Sequence, residues 1–296
     1  MRTWVWVLFA GICSGLGVTA ATVAWPIGNS VEKISQAGDV DRGAYLARAS
    51  GCIACHTNTE DGGAPLAGGA PLKTDFGKFY PPNLTTDLEF GMGSWTIEQF
   101  AKAVRQGISP DGDPYYPTFT YPFYANFTDQ DIADLWAAFQ TVPAVNQSTL
   151  PHDTAFPFNQ RWGLKLWRAA FLAPTNVEPV PDKSDAWNRG KLLVRGAAHC
   201  AACHTPRNLA GARISSKRFT GNALLPVGGK APSILPDDLE AEGWNVDDLA
   251  YALRSGVTPS GDVFGGSMAE VVQLGTRFLT DDDLKAMAIY IMDSDI

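Results

Sequence analysis

Three patterns of hydrophobic and polar positions follow one another along the chain. Residues 4–25 form an almost unbroken apolar stretch of 22 residues, and Arg2 is the only charge before Glu32. That length spans a bilayer as a helix, and it exceeds the roughly 7–15 residue apolar core of a cleaved leader. Val18-Thr19-Ala20 offers small residues at a processing site, so cleavage is the competing expectation. Arg2 on the short side and Trp25 at the far end suit a helix with its N-terminus inside the cell. Either outcome exports everything after residue 30.

Beyond residue 35 the pattern turns helical and then repeats. Residues 95–113 (WTIEQFAKAVRQGISPDGD) match 244–262 (WNVDDLAYALRSGVTPSGD) without a gap. In both copies apolar side chains stand at i, i+4 on one face, Phe100 with Val104 and Leu249 with Leu253. Thr96 and Asn245 supply N-caps, and Gly107 and Gly256 supply stops. A further helix starts in each copy at Thr128-Asp129 or Thr280-Asp281 and carries the apolar runs 132–139 and 284–291. The opening helix of each copy begins near residue 41 or 188 and is expected to continue through a Cys-rich segment. The predicted fold is therefore all-α, two tandem domains of about three helices each. The boundaries are 1–30 for the anchor or leader, 35–141 for the first unit, 142–186 for a Pro-rich linker, and 187–296 for the second unit. Trp162 and Trp167 are expected to pack the linker on one or both units.

Composition narrows the function. Hydrophobic residues make up 45% and charged residues 18%, as in a chain that folds in water rather than a disordered tail. The net charge of -8 lacks the clustered Lys and Arg that a phosphate backbone requires, so nucleic acid is excluded as a partner. Five Cys and four His remain as the chemically informative residues.

Four of those Cys and two of those His form two groups, Cys52, Cys55, His56 and Cys200, Cys203, His204. Two residues between thiols is a strained spacing for a disulfide and leaves the adjoining His unexplained. A zinc site would need a fourth ligand for each group, with only His152 and His199 left over. Cys-x-x-Cys-His is the attachment signature of c-type haem: the thiols add to two vinyl groups, and the His becomes the iron's proximal ligand. Two covalently attached haem c groups are expected. Cys13, preceded by the large Ile12, reads as an inert buried thiol.

A Met thioether on the opposite side of the iron raises the potential relative to a second His. In the second unit Met268, in the Gly265-Gly266-Ser267-Met268 segment, is the expected ligand, since Met287 and Met292 belong to the last helix. The equivalent position in the first unit is Phe119, which cannot bind iron. Met92, His152 or an open position are the alternatives there, with Met92 otherwise a turn-side apolar residue and His152 a surface histidine. His199 points away from its own iron. Pro82 and Pro232 lie where a carbonyl accepts the proximal His N–H, and Arg105 and Arg254 could reach haem propionates or lie on helix surfaces.

From about residue 38 to its end the chain resembles the cytochrome c subunits of membrane-associated periplasmic dehydrogenases of the alcohol, gluconate and sorbitol type. The matching segments include Asn83-Leu84-Thr85-Thr86-Asp87, Gly93-Ser94-Trp95, Phe156-Pro157-Phe158-Asn159-Gln160-Arg161 and Trp187-Asn188-Arg189-Gly190. They continue with His199-Cys200-Ala201-Ala202-Cys203-His204-Thr205-Pro206-Arg207-Asn208 and Ser267-Met268-Ala269-Glu270-Val271-Val272. The resemblance implies class I cytochrome c folds with no substrate chemistry of their own. It implies single-electron transfer from a periplasmic dehydrogenase to a quinone, a terminal oxidase or a soluble cytochrome, on the periplasmic side of the inner membrane. Those subunits commonly carry three haem motifs against two here, and commonly a Met where Phe119 stands. The alternative expectation is a haem enzyme, a peroxidase or sulfur-compound dehydrogenase with an open first haem.

Overall fold

The structure, a computed structural model, describes residues 25–173, 175–225 and 228–293. The proposed membrane segment up to residue 24, Cys13 included, lies outside them. No helix among the described residues is long and apolar enough to cross a membrane.

The first set of elements is α1 (Val40–Ala49), α2 (Cys52–His56), a small hairpin β1 (Leu72–Thr74) and β2 (Gly77–Phe79), α3 (Ile97–Gln106), α4 (Tyr121–Tyr124) and α5 (Asp129–Gln140). Then come α6 (Gly163–Phe171), α7 (Asp185–Leu192), α8 (Pro236–Ala241), α9 (Val246–Ser255), α10 (Gly266–Leu274) and α11 (Asp281–Ile291). The fold is mostly helical. It is richer than three helices per copy, since α4, α8, α10 and the hairpin were not legible as periodic patterns.

Local chemistry explains the three principal helices. Thr96 and Thr128 form full capping boxes with Gln99 and Asp131, and Asn245 and Thr280 cap α9 and α11. Gly107 and Gly256 close α3 and α9 in the left-handed conformation, at φ 61° and 80°. The first and last helices of each copy cross at a glycine. A Cβ on Gly43 would lie 1.8 Å from the Asp134 carbonyl oxygen, and one on Gly190 2.0 Å from that of Ala286. Arg42 Nε donates to Asp134 Oδ2 at 2.8 Å across the first crossing, and Arg189 Nη2 to Asp283 Oδ2 at 2.7 Å across the second.

The opening helices do not run unbroken through the Cys-rich segments. In the first copy Ser50 ends α1, and Gly51, left-handed at φ 66°, starts α2 in a new direction. In the second, α7 passes into a wide turn at Leu193–Ala197, kinks at Gly196 and reaches a 3-10 turn at Cys200–Ala202 through His199 at φ 41°. Gly51 and His199 are the same repeat position, so both copies need a left-handed residue just before the first Cys.

The two sets do not pack separately. One apolar cluster belongs to the first copy, around Phe100, Ile132, Leu135 and Phe139. The other joins Leu253, Leu284, Met287 and Tyr290 of the second copy to Ala49, Phe123 and Tyr124 of the first. Tyr45 Oη donates to Asp283 Oδ2 at 2.6 Å, and Arg48 stacks over Phe278 at 3.8 Å. The linker is more ordered than its composition implies, since α6 sits inside it. Trp167 Nε1 donates to Ala210 O of the second copy, and Arg168 Nη2 to Gln106 O of the first, each at 2.8 Å.

Candidate haem sites

Both Cys-x-x-Cys-His segments hold free thiols, with no disulfide among Cys52, Cys55, Cys200 and Cys203. Burial pushes Cys52 and Cys200 up to about 12, so both are neutral thiols rather than activated thiolates. Cys55 keeps an accessible edge in a crowded neighbourhood, which pushes it up to about 11, with nearby Cys203 and Glu270 raising it further. Helix α10 of the second copy packs against α2 of the first across the junction. No three His, Cys, Asp or Glu side chains converge to hold a bare metal ion among the described residues.

The histidines are held alike. His56 Nδ1 is 2.7 Å from Pro82 O, and His204 Nδ1 is 2.8 Å from Pro232 O. A carbonyl only accepts, so the proton sits on Nδ1 and the Nε2 lone pair is free for a metal. Burial lowers His56 to about 4 and lowers His204 in the same direction, keeping both imidazoles neutral. Neutral imidazole is the ligating form.

The surroundings also fit a porphyrin carrying carboxylates. Arg195, Arg207, Arg213 and Arg218 are half-buried around the second Cys pair, and none forms an ion pair with a carboxylate among the described residues. Desolvation, followed by the Arg207 and Arg218 charges, lowers Arg213 to about 10. Arg195 Nε and Arg207 Nε are buried without a hydrogen-bond partner. Uncompensated cations at this density call for anions, which haem propionates supply. Arg105 Nε and Arg168 Nη1, on α3 and α6, are likewise unpartnered. This arginine cluster escaped sequence reasoning, because positions 195, 207, 213 and 218 share no period. Arg105 and Arg254 bond instead to Asp129 and Asp281, at 2.8 and 2.6 Å, at the start of the last helix of each copy.

The other candidate residues fall as follows. Met268 stands in the first turn of α10 rather than in a loop, half-buried against the second cluster. Met92 is a buried apolar residue of the turn before α3: it is 3% exposed, within the first core, and its N–H donates to Thr85 O at 2.8 Å. His152 is not a surface histidine either. Its Nδ1 accepts from Tyr80 N–H at 3.2 Å, and its ring packs on Phe79 and Tyr116. Both belong to the chain around the 79–92 loop that backs His56 through Pro82. Phe119 precedes α4 and meets Tyr115, Tyr121 and Tyr124 in an aromatic group. His199 lies at the junction of the copies, 3.4 Å from where a Gly51 Cβ would be, with Nδ1 2.7 Å from Ala197 O and 3.4 Å from Tyr124 Oη.

Comparison with known proteins agrees. The cytochrome c family model matches residues 40–139. A dihaem c-type cytochrome of Cereibacter sphaeroides is 40% identical over 86% of this chain and 85% of its own length. The cytochrome c subunit of gluconate 2-dehydrogenase from Pantoea cypripedii is 38% identical over 86% of this chain. That of the quinone alcohol dehydrogenase from Gluconobacter oxydans is 40% identical over 85%. This chain spans 60% and 54% of those two subunits. Motif, geometry and relatives agree: the chain belongs to the c-type cytochromes, proteins that carry covalently bound haem c.

Proposed function

We propose that this chain is a dihaem electron-transfer subunit that accepts single electrons from a periplasmic dehydrogenase and delivers them to the respiratory chain. The observation that carries the reading is the pair of Cys-x-x-Cys-His sites, each with its His Nδ1 tied to a Pro carbonyl. The relatives are cytochrome subunits of dehydrogenase complexes, so the chain is an electron-transfer subunit rather than the substrate-converting one. When bound, haem iron supplies one-electron redox chemistry. Cys52 and Cys55, and Cys200 and Cys203, would hold the rings through thioethers, and Nε2 of His56 and His204 would bind the irons. The Pro82 and Pro232 carbonyls keep those imidazoles oriented and electron-rich. Residues 4–25 hold the protein at the periplasmic face of the inner membrane.

Met268 would supply the second protein ligand at the second site. In the first, Met92 and His152 pack around the 79–92 loop whose Pro82 carbonyl holds His56. Phe119 occupies the position equivalent to Met268 and offers no donor, so beyond His56 this site would have no second protein ligand. The experiment is spectroscopic, on holoprotein. Mass and pyridine haemochrome assays should give two haems per chain. Met268→His should lower one midpoint potential by on the order of 0.1 V, within the roughly 0.8 V that axial ligands command. Ferrous carbon monoxide binding should titrate one haem in the native protein. One haem per chain, or two six-coordinate haems inert to carbon monoxide, would overturn the corresponding part of the assignment.

A further inference from the structure

The linker between the copies contains a helix whose solvent face is apolar. In α6 the inward side chains are Leu164, Trp167 and Arg168, the last two bonded to the two copies. The outward positions at i, i+3, i+4 are Leu166, Ala169 and Ala170, all exposed, with Leu166 at 54%, and Phe171 adds a ring at the end. An ordinary surface helix carries charges there. Upstream in the same linker Phe156 and Phe158 are also exposed.

Two independent observations say what covers this face. From residue 154 to residue 177 the chain has no Asp or Glu but has Arg161, Lys165 and Arg168, in a protein of net charge -8. An apolar face in a segment without carboxylates, with Lys165 next to Leu166 in sequence, suits an anionic lipid surface, where apolar and cationic side chains both gain. The second observation is the path of the chain. The 22-residue apolar stretch ends at Trp25, whose side chain is exposed and whose carbonyl accepts from Lys165 Nζ of α6 at 2.7 Å. A segment that spans the bilayer would therefore leave it beside α6.

We propose that α6 lies on the periplasmic surface of the anionic bilayer, with Leu166, Ala170 and Phe171 at the headgroup boundary, fixing how the two haem-bearing copies stand on the membrane. This rests on reading residues 4–25 as a membrane segment.

The test uses full-length holoprotein in vesicles containing phosphatidylglycerol. Nitroxides are placed by Leu166→Cys or Ala170→Cys in a Cys13→Ala background, with Leu209→Cys, on a fully exposed residue of the second copy, as control. At 166 and 170 oxygen should relax the label several-fold more than a water-soluble nickel chelate does, the reverse holding at 209. Equal nickel access at all three positions overturns the proposal. So does protection of 166 and 170 that appears only when a dehydrogenase subunit is bound, which would make the face a protein interface. Alkaline carbonate extraction separates the two readings. A protein released by carbonate has lost the membrane-segment reading, and the placement of α6 then stands only if the lipid signature persists on phosphatidylglycerol vesicles and is otherwise overturned. A protein that resists carbonate but shows aqueous labels keeps its anchor and loses the proposal.

Discussion

Gly43 shows how little room single positions allow. Its missing Cβ would collide with the Asp134 carbonyl oxygen, which belongs to the α5 backbone and cannot rotate aside. Gly43→Ala should therefore destabilise the holoprotein by about 2 kcal/mol or more in guanidinium unfolding, and Gly190→Ala should act similarly in the second copy. Beside that glycine, Asp134 is 4% exposed, and its hydrogen bonds from Arg42 hold it at about 2, below its ordinary 3.8. A depressed carboxylate contributes stability that is complete above its unfolded value and is lost as pH falls through its folded one. Asp134→Asn should thus cost about 2 kcal/mol at neutral pH. Its deficit relative to the native protein should shrink between about pH 4 and pH 2 in acid unfolding. The caps were readable residue by residue, since Thr96, Thr128, Gly107 and Gly256 act on their own sequence neighbours. The burial of His152 was not, because Tyr80, Phe79 and Tyr116 reach it from 36 to 73 positions away.

Among the elements, the loop between the second haem segment and α8 carries the electrostatic design. Arg207 is bonded to the carbonyls of Gly211 and Ala202, and Arg213 lies 4.1 Å over the Phe123 ring of the first copy. Positive charge near an iron stabilises its reduced form. Arg213→Gln should lower the potential of the second haem by tens of millivolts in a redox titration and leave that of the first nearly unchanged. The three principal helices of each copy were legible from caps and apolar spacing. The breaks at Gly51 and His199 were not, because a left-handed residue leaves no periodic trace, and a histidine there is legible only beside its repeat partner glycine. Helix α6 was hidden by its surroundings of Pro and aromatic residues, where an outward apolar face blurs the usual amphipathic signal.

At the scale of the molecule, the net charge of -8 is joined by the propionates of any bound haem. Encounter with a basic partner surface is then steered over about 8–10 Å at physiological salt. The second-order rate of reduction by such a dehydrogenase should fall several-fold as ionic strength rises from 0.02 to 0.2 M, on the order expected for steered association. A stopped-flow rate indifferent to salt would indicate a neutral docking site. The tandem organisation was legible from the repeat alone. The sharing of the second apolar cluster between copies was not, because Ala49, Phe123 and Tyr124 look like ordinary core positions of their own unit.

The junction has one more consequence. Helix α1 of the first copy packs on the Thr276–Phe278 turn of the second, while the Leu193–Ala197 turn of the second, the counterpart of the end of α1, packs on α4 of the first. Gly51 meets His199, its own equivalent. Contacts that exchange in this way, with a position touching its own image, are the mark of a two-fold axis. The molecule thus has the form of a homodimer whose halves became one polypeptide. In a true homodimer both halves would hold iron identically and no direction would be preferred. With Met268 on one side of the axis and Phe119 at the equivalent position on the other, the two halves are no longer interchangeable.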